Sequence, residues 1–284
     1  MKEFERYNPY VILFHFVFVI GIAMIIMHPI VLGIALVSGL VYHTILSGLK
    51  KTSYTMLLAV PLILVTAAVN PIFNHSGNTV LTYLPSGAAI TVEAVIYGVF
   101  SGMMLSAIIV WFSCFNTVFK SDKILYVFSK FAPSLALILS MSLGFIPRII
   151  KKTKETIRVQ KGLGRDIKKG NIKNRISIAS WVLSSMLGWS LENSVETAHS
   201  MKCRGYGLGK RTSFSIYSFD LSDVIFTMFL ILCAVGIYVF RQSFSYAYYP
   251  EISFSDNYIG IMIYAAICFA PVVVYFAEVK RWSF

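Results

Sequence analysis

The segment 201–212, MKCRGYGLGKRT, holds the densest group of residues in the chain that could do chemistry. Its tail, GLGKRT, comes close to a phosphate-binding loop. That motif needs G-x-x-x-x-G-K followed by Ser or Thr, whose hydroxyl holds magnesium. Here Arg211 follows Lys210, and Arg204 takes the place of the first glycine, so nucleotide binding by this chain is not expected. What remains is a basic, glycine-rich turn: Cys203, Arg204 and Gly205, then Gly207 and Gly209. Arginine presents a planar, permanently charged fork that matches a carboxylate. Glycine admits the left-handed backbone that ends a helix. The chemistry on offer is recognition by a partner, not bond-making.

Other reactive residues are scattered. There is no G-x-S-x-G elbow, H-E-x-x-H pair or carboxylate pair. Glu93 lies near the start of an apolar run. An acid inside a membrane span is a functional candidate by default, but at the edge of a helix a solvated or interfacial role is favoured. His75 sits in NPIFNHSG, where Asn, Pro and Gly provide turn chemistry. Cys114, Cys203, Cys233 and Cys268 form no CxxC pair and have no histidine cluster beside them. No zinc site, disulfide framework or cofactor is expected. Two of the thiols fall in apolar runs, where cysteine acts as a small hydrophobe.

The elements that must position the basic turn are apolar helices. The chain of 284 residues is 57% hydrophobic and only 13% charged, with a mean hydropathy of +0.71. A soluble domain carries nearer a quarter charged residues. The composition predicts an all-α, polytopic membrane protein with about six transmembrane helices. Apolar runs at 11–27, 30–47, 54–69, 90–112, 223–241 and 258–277 each approach the ~20 residues needed to cross hydrocarbon. The first leads straight into the second without a small-residue cleavage signature, so it reads as a retained span. Two weaker stretches, 131–147 and 176–191, contain Pro, Ser or Trp and are flanked by charge. They read as helices lying against the others at the cytoplasmic face, with short spans as the alternative. The expected division is 1–112 transmembrane, 113–222 cytoplasmic coupling helices and 223–284 transmembrane.

Charge sets the orientation. The net charge is +12, which in a soluble protein would suggest nucleic acid. In a membrane protein Lys and Arg collect on the cytoplasmic side, and no nucleic-acid partner is expected. Lys2, Arg6, Lys50, Lys51, the basic region from Lys120 to Arg211, Lys280 and Arg281 all fall on one side of a six-span alternation. The segments 70–89 and 242–257 contain no Lys or Arg and fall on the other. Both termini are therefore expected in the cytoplasm.

The basic region is patterned. Lys151, Lys154, Arg158, Lys161, Arg165 and Lys168 step by three and four, one face of a helix. Ile150, Ile157 and Ile167 fall on another side. Such a helix rests on anionic lipid head groups or docks on a protein. Gly162 and Gly164 suit its end. A second helix is expected over 174–203, with Glu192, Glu196 and His199 on one face and Gly205 just past its end.

Two such helices, each closing in a glycine turn, on a multi-span chain of this length resemble the transmembrane T component of energy-coupling factor transporters, the CbiQ-like family. The second motif is carried by Ala198, Met201, Cys203, Arg204, Gly205 and Tyr206, and the first by Ile157, Gln160, Gly162, Leu163 and Gly164, downstream of Phe145 and Pro147. Asn70, Pro71, Asn74, His75 and Gly77 also resemble a loop of the family. The resemblance implies a non-catalytic subunit in the lipid bilayer. Its two motifs would dock on two ATP-binding cassette ATPase subunits, and a separate substrate-binding S component would capture a vitamin or transition-metal ion. Leu163 departs from the pattern, standing where an arginine is expected. Either that helix docks by apolar contact, or Arg158 or Arg165 supplies the charge. The alternative function is a self-contained secondary transporter or channel with a basic regulatory segment. It calls for broken or polar midplane helices and internal repeats, and no repeat is present.

Overall fold

The computed structural model describes residue 4 and residues 6–83, 89–166, 171–209, 217–248, 253–254 and 258–282. Among these residues the regular structure is almost entirely helical. Helices α1 (Pro9–Ile25), α2 (Pro29–Ser47), α3 (Leu49–Phe73) and α4 (Val92–Val118) come first. They are followed by α5 (Ser121–Phe131), α6 (Pro133–Gly162), α7 (Ile172–Cys203), α8 (Leu221–Val239) and α9 (Ile259–Trp282). Two small antiparallel pairs interrupt them, β1 (Val80–Tyr83) with β2 (Ala89–Thr91) and β3 (Tyr246–Ala247) with β4 (Ser253–Phe254). This is an all-α polytopic membrane protein.

Among the described residues, six helices are long and apolar enough to cross a membrane. Their membership differs from expectation. The run at 11–27 forms a helix of 17 residues, shorter than the rest. The stretch at 131–147, expected as a helix lying at the face, is the first half of the continuous 30-residue α6. Pro147 marks where the apolar half of α6 gives way to a half carrying Arg148, Lys151, Lys154, Arg158 and Lys161. The stretch at 176–191 belongs to the 32-residue α7, whose serines keep it too polar to join the six.

The chain divides into two compact units, one of residues 1–124 and 217–284 and one of residues 125–216. In the first unit, α3 and α4 make the most intimate contact. Gly98, Gly102 and Ser106 recur every fourth residue along α4. A Cβ on Gly98 would stand 2.8 Å from the Thr66 carbonyl oxygen, and one on Gly102 would stand 2.7 Å from Ile63 Cα. Only small residues permit that approach, which is how helices attract one another where lipid removes the hydrophobic driving force. Ser106 donates to the Ala59 carbonyl across the same seam. Against α2, the buried Trp111 indole donates to the Ala35 carbonyl at 2.9 Å and packs over Gly39. His43 ties three helices at one end, with its ring nitrogens 2.7 Å from Thr52 Oγ1 and 3.0 Å from Ser113 Oγ.

Glu93 is not solvated as the sequence suggested. It is buried, and its carboxylate accepts from the Thr79 amide and hydroxyl. The charge closes the segment Gly77–Thr79 onto the first turn of α4, where a negative side chain also favours the helix dipole. Gly77 has a φ of +131°, and a side chain there would run into that carboxylate.

Paired helix ends as a candidate docking surface

The second unit is built on α6 and α7. Phe145 and Trp189 stack where they meet, centroids 5.4 Å apart and rings 5° from parallel. The two helices run in opposite senses. A cavity of about 500 Å³ is lined by Ser140–Arg148 residues of α6 and by Asn193, Thr197 and Met201 of α7. A second, about 750 Å³, is lined by Gln160 and Arg165 from the α6 end and by Asn174 and Trp181 from the start of α7. At 1.5 Å per residue, Gly162 lies about 25 Å beyond Phe145 and Cys203 about 21 Å beyond Trp189. The two glycine turns therefore stand at opposite ends of the pair.

The turns are the same structure. In the first, the Arg165 amide donates to the Gln160 carbonyl at 3.0 Å and the Gly164 amide to Lys161 at 3.1 Å. In the second, the Tyr206 amide donates to the Met201 carbonyl at 3.1 Å and the Gly205 amide to Lys202 at 3.0 Å. Each is a Schellman closure, which satisfies the last carbonyls of a helix by turning one residue left-handed. That residue is Gly164 at φ +80° and Gly205 at φ +81°. The preceding residues match as well, Leu163 at φ −82°, ψ 11° and Arg204 at φ −82°, ψ 9°. Position by position, Gln160, Lys161, Gly162, Leu163, Gly164 and Arg165 correspond to Met201, Lys202, Cys203, Arg204, Gly205 and Tyr206. Helix ends that close this way are fixed by their backbone, so each presents its middle side chain in a set direction.

All the expected docking residues lie in this unit, and all of them are exposed except the half-buried Gly205. Leu163 is 69% exposed, an open position for a leucine beside so many charges. Among the described residues no carboxylate pairs with Arg204. Lys161 stands 4.0 Å from Asp166. The basic stripe holds on α6 through Lys151, Lys154, Arg158 and Lys161, but the helix ends at Gly162, so Arg165 leaves the stripe. Ile167, Lys168, Lys210, Arg211 and Thr212 lie outside the described residues. The two ends do not converge into one site; they form a pair of separated, similar surfaces. The apolar side of the stretch at 176–191 stands open on α7, where Leu183, Leu187 and Leu191 are exposed and Val195 continues the same spacing of four. Among the described residues no group of three or more His, Cys, Asp or Glu side chains could hold a metal ion.

A family model described as "Cobalt transport protein", CbiQ, matches residues 6–215. Several energy-coupling factor transporter transmembrane proteins, named EcfT, are similar in sequence. EcfT 1 of Listeria monocytogenes serotype 1/2a (strain 08-5578) is 28% identical over 130 residues, 43% of this chain and 49% of that protein. EcfT of Staphylococcus aureus (strain 04-02981) is 32% identical over 110 residues, 38% of this chain and 41% of that protein. EcfT of Lactobacillus helveticus (strain DPC 4571) is 27% identical over 120 residues, 42% of this chain and 43% of that protein. The matched stretches span less than half the length of each of these relatives.

Proposed function

The chain belongs to the CbiQ family of cobalt transport proteins, and on that footing we propose that it is the membrane coupling subunit of an energy-coupling factor importer. It carries motion, not substrate or nucleotide. The observation that carries this reading is the pair of matched Schellman turns at opposite ends of α6 and α7. Two similar, outward-facing helix ends some tens of ångströms apart suit two similar partners that move relative to one another. Paired ATP-binding cassette ATPase subunits are such partners. Residues Arg158, Gly162, Leu163, Gly164 and Arg165 serve one of them, and Cys203, Arg204 and Gly205 the other.

Closure of the ATPase pair on ATP would draw the two ends along with it. The helices transmit this because each end is locked to its helix by backbone bonds. The exposed apolar faces of α6 and α7 would lean on a separate S component that holds a vitamin or a transition-metal ion. Their Gly144, Gly188 and serines permit close helix contact. Both termini and the docking ends face the cytoplasm in this reading.

The test is Arg204→Glu. A guanidinium seated in a partner's acidic groove must be paired, and losing one member of a desolvated pair costs about 3–5 kcal/mol. The variant is expected to insert normally, to lose retention of its ATPase partner and to lose ATP-driven uptake. Wild-type retention and uptake in the variant would remove Arg204 from the docking role.

A further inference from the structure

Independently of the docking reading, the geometry points to a phosphate-binding cleft in the first unit, where α2, α3 and α4 come together beside Lys50 and Lys51. A cavity of about 520 Å³ opens there between the closing turns of α2 and α4 and the first two turns of α3. That volume falls within the range of small-ligand sites, about 300–1,000 Å³. Ser47, Lys50, Lys51, Tyr54, Thr55 and Thr117 line it. The buried His43 and the half-buried Ser113 complete it as a bonded pair, with His43 Nε2 3.0 Å from the Ser113 hydroxyl. Every one of these side chains carries an N–H or O–H group, and none is an acid or an aliphatic residue. Such a lining stands out in a chain that is 57% hydrophobic.

Part of this donor set is already spent within the chain. The Thr55 hydroxyl donates to the Lys51 carbonyl at 3.1 Å and the Thr117 hydroxyl to the Ser113 carbonyl at 2.9 Å. The Ser47 and Tyr54 hydroxyls and the Lys50 and Lys51 ammoniums have no hydrogen-bond or ion-pair partner among the described residues. Both lysines stand in the first turn of α3, where no acid accompanies them and the helix dipole disfavours a cation. Two adjacent ammoniums in that place call for an anion from outside. Sidedness accounts for lysines at the end of a span, but not for the hydroxyls gathered around them. A phosphate meets both features, because its oxygens accept hydrogen bonds and lysine binds it as a point charge. All three helices are long and apolar enough to cross a membrane. The cleft at their ends therefore opens at the depth where anionic headgroups lie.

The experiment titrates the full chain, purified in mild detergent and phosphate-free buffer, and reads bound ligand by native mass spectrometry. The probes are phosphatidylglycerol, phosphatidylcholine and, in solution, glycerol 3-phosphate. Wild type is expected to bind phosphatidylglycerol more tightly than phosphatidylcholine. The double variant Lys50→Gln, Lys51→Gln is expected to bind it on the order of 30-fold more weakly. Ser47→Ala with Tyr54→Phe keeps both charges and is expected to weaken binding several-fold. Lys173→Gln with Lys202→Gln removes the same charge from the second unit and is expected to bind as wild type does. Saturable binding of glycerol 3-phosphate, lost in the same double variant, would identify the phosphate as a soluble ester. Binding of phosphatidylglycerol alone would identify it as a lipid headgroup. Wild-type affinity in the Lys50, Lys51 variant would overturn the inference, and so would an equal loss in the Lys173, Lys202 variant. Unchanged binding in the Ser47, Tyr54 variant would overturn it as well, since the lysines would then act as charge without the cleft. Melting curves of each variant, run beside the titrations, confirm that the bundle is intact.

Discussion

Gly164 and Gly162 stand two residues apart and are glycine for different reasons. Gly164 sits at φ +80°, where an L side chain costs about 1–2 kcal/mol. Gly162 is ordinary helix with open space around it, and alanine there favours the helix by up to about 1 kcal/mol. Gly164→Ala is therefore expected to loosen the α6 end and weaken docking through lost shape. Gly162→Ala is expected to leave thermal unfolding of the purified chain unchanged or slightly raised, yet to weaken ATPase retention by adding a methyl to a contact surface. Melting curves beside pull-down yields separate the two. If Gly162→Ala retains its partner as well as wild type does, then the last turn of α6 lies outside the contact.

At the scale of elements, the point where the chain leaves the first unit and the point where it returns are joined. The Tyr217 hydroxyl donates to Asp122 at 2.6 Å, and this bond holds the Asp122 carboxyl below its ordinary range. Next to it, the buried Lys123 ammonium donates to the Val118 carbonyl at 3.0 Å, closing the end of α4. For a carboxylate lowered in the folded state, the stabilisation is present above its unfolded pKa, about 3.9, and is lost as pH falls through the folded value. Wild type is thus expected to melt above Tyr217→Phe at pH 7, with the gap closing as pH drops below about 4. An equal gap at pH 7 and at pH 3 would mean that the hydroxyl acts by packing alone. The helix ends were legible in the sequence because glycine after a basic, amphipathic run signals a left-handed cap. Their equivalence was legible only as a resemblance, since Leu163 against Arg204 breaks the pattern while backbone hydrogen bonds preserve it. The Gly98, Gly102, Ser106 seam was written at a spacing of four but is masked by the apolar residues around it. The Phe145–Trp189 stack depends on which faces meet, which one chain's periodicity does not specify. The length of α6 was underestimated because charge after Pro147 looked like a boundary, whereas the helix simply continues from apolar to basic.

For the whole molecule, the side of the membrane that bears the docking ends decides whether they can reach a cytoplasmic partner. The charge alternation places them with Lys50, Lys51 and both termini, opposite the segment around Ser76. Helix α6 challenges that assignment, because it is long and apolar enough to cross. A single crossing by α6 would carry Cys203 to the side of Ser76. The basic half of α6 argues against it. Lys and Arg collect on the cytoplasmic side of a membrane, and Arg148, Lys151, Lys154, Arg158 and Lys161 follow directly on the apolar half. The native thiols provide the measurement. Cys114, Cys233 and Cys268 are buried and Cys203 is exposed, so a membrane-impermeant maleimide reports on Cys203. It is expected to label wild type in inside-out vesicles and to leave right-side-out vesicles unlabelled. A Cys203→Ser chain carrying Ser76→Cys is expected to show the reverse. Labelling of both positions from the same side would put an odd number of crossings between α4 and Cys203, and the docking ends would then face away from any cytoplasmic ATPase. With the expected sidedness, the proposed docking predicts that adding the ATPase subunits slows Cys203 labelling several-fold, because the thiol lies one residue from Arg204 on the surface proposed to receive them.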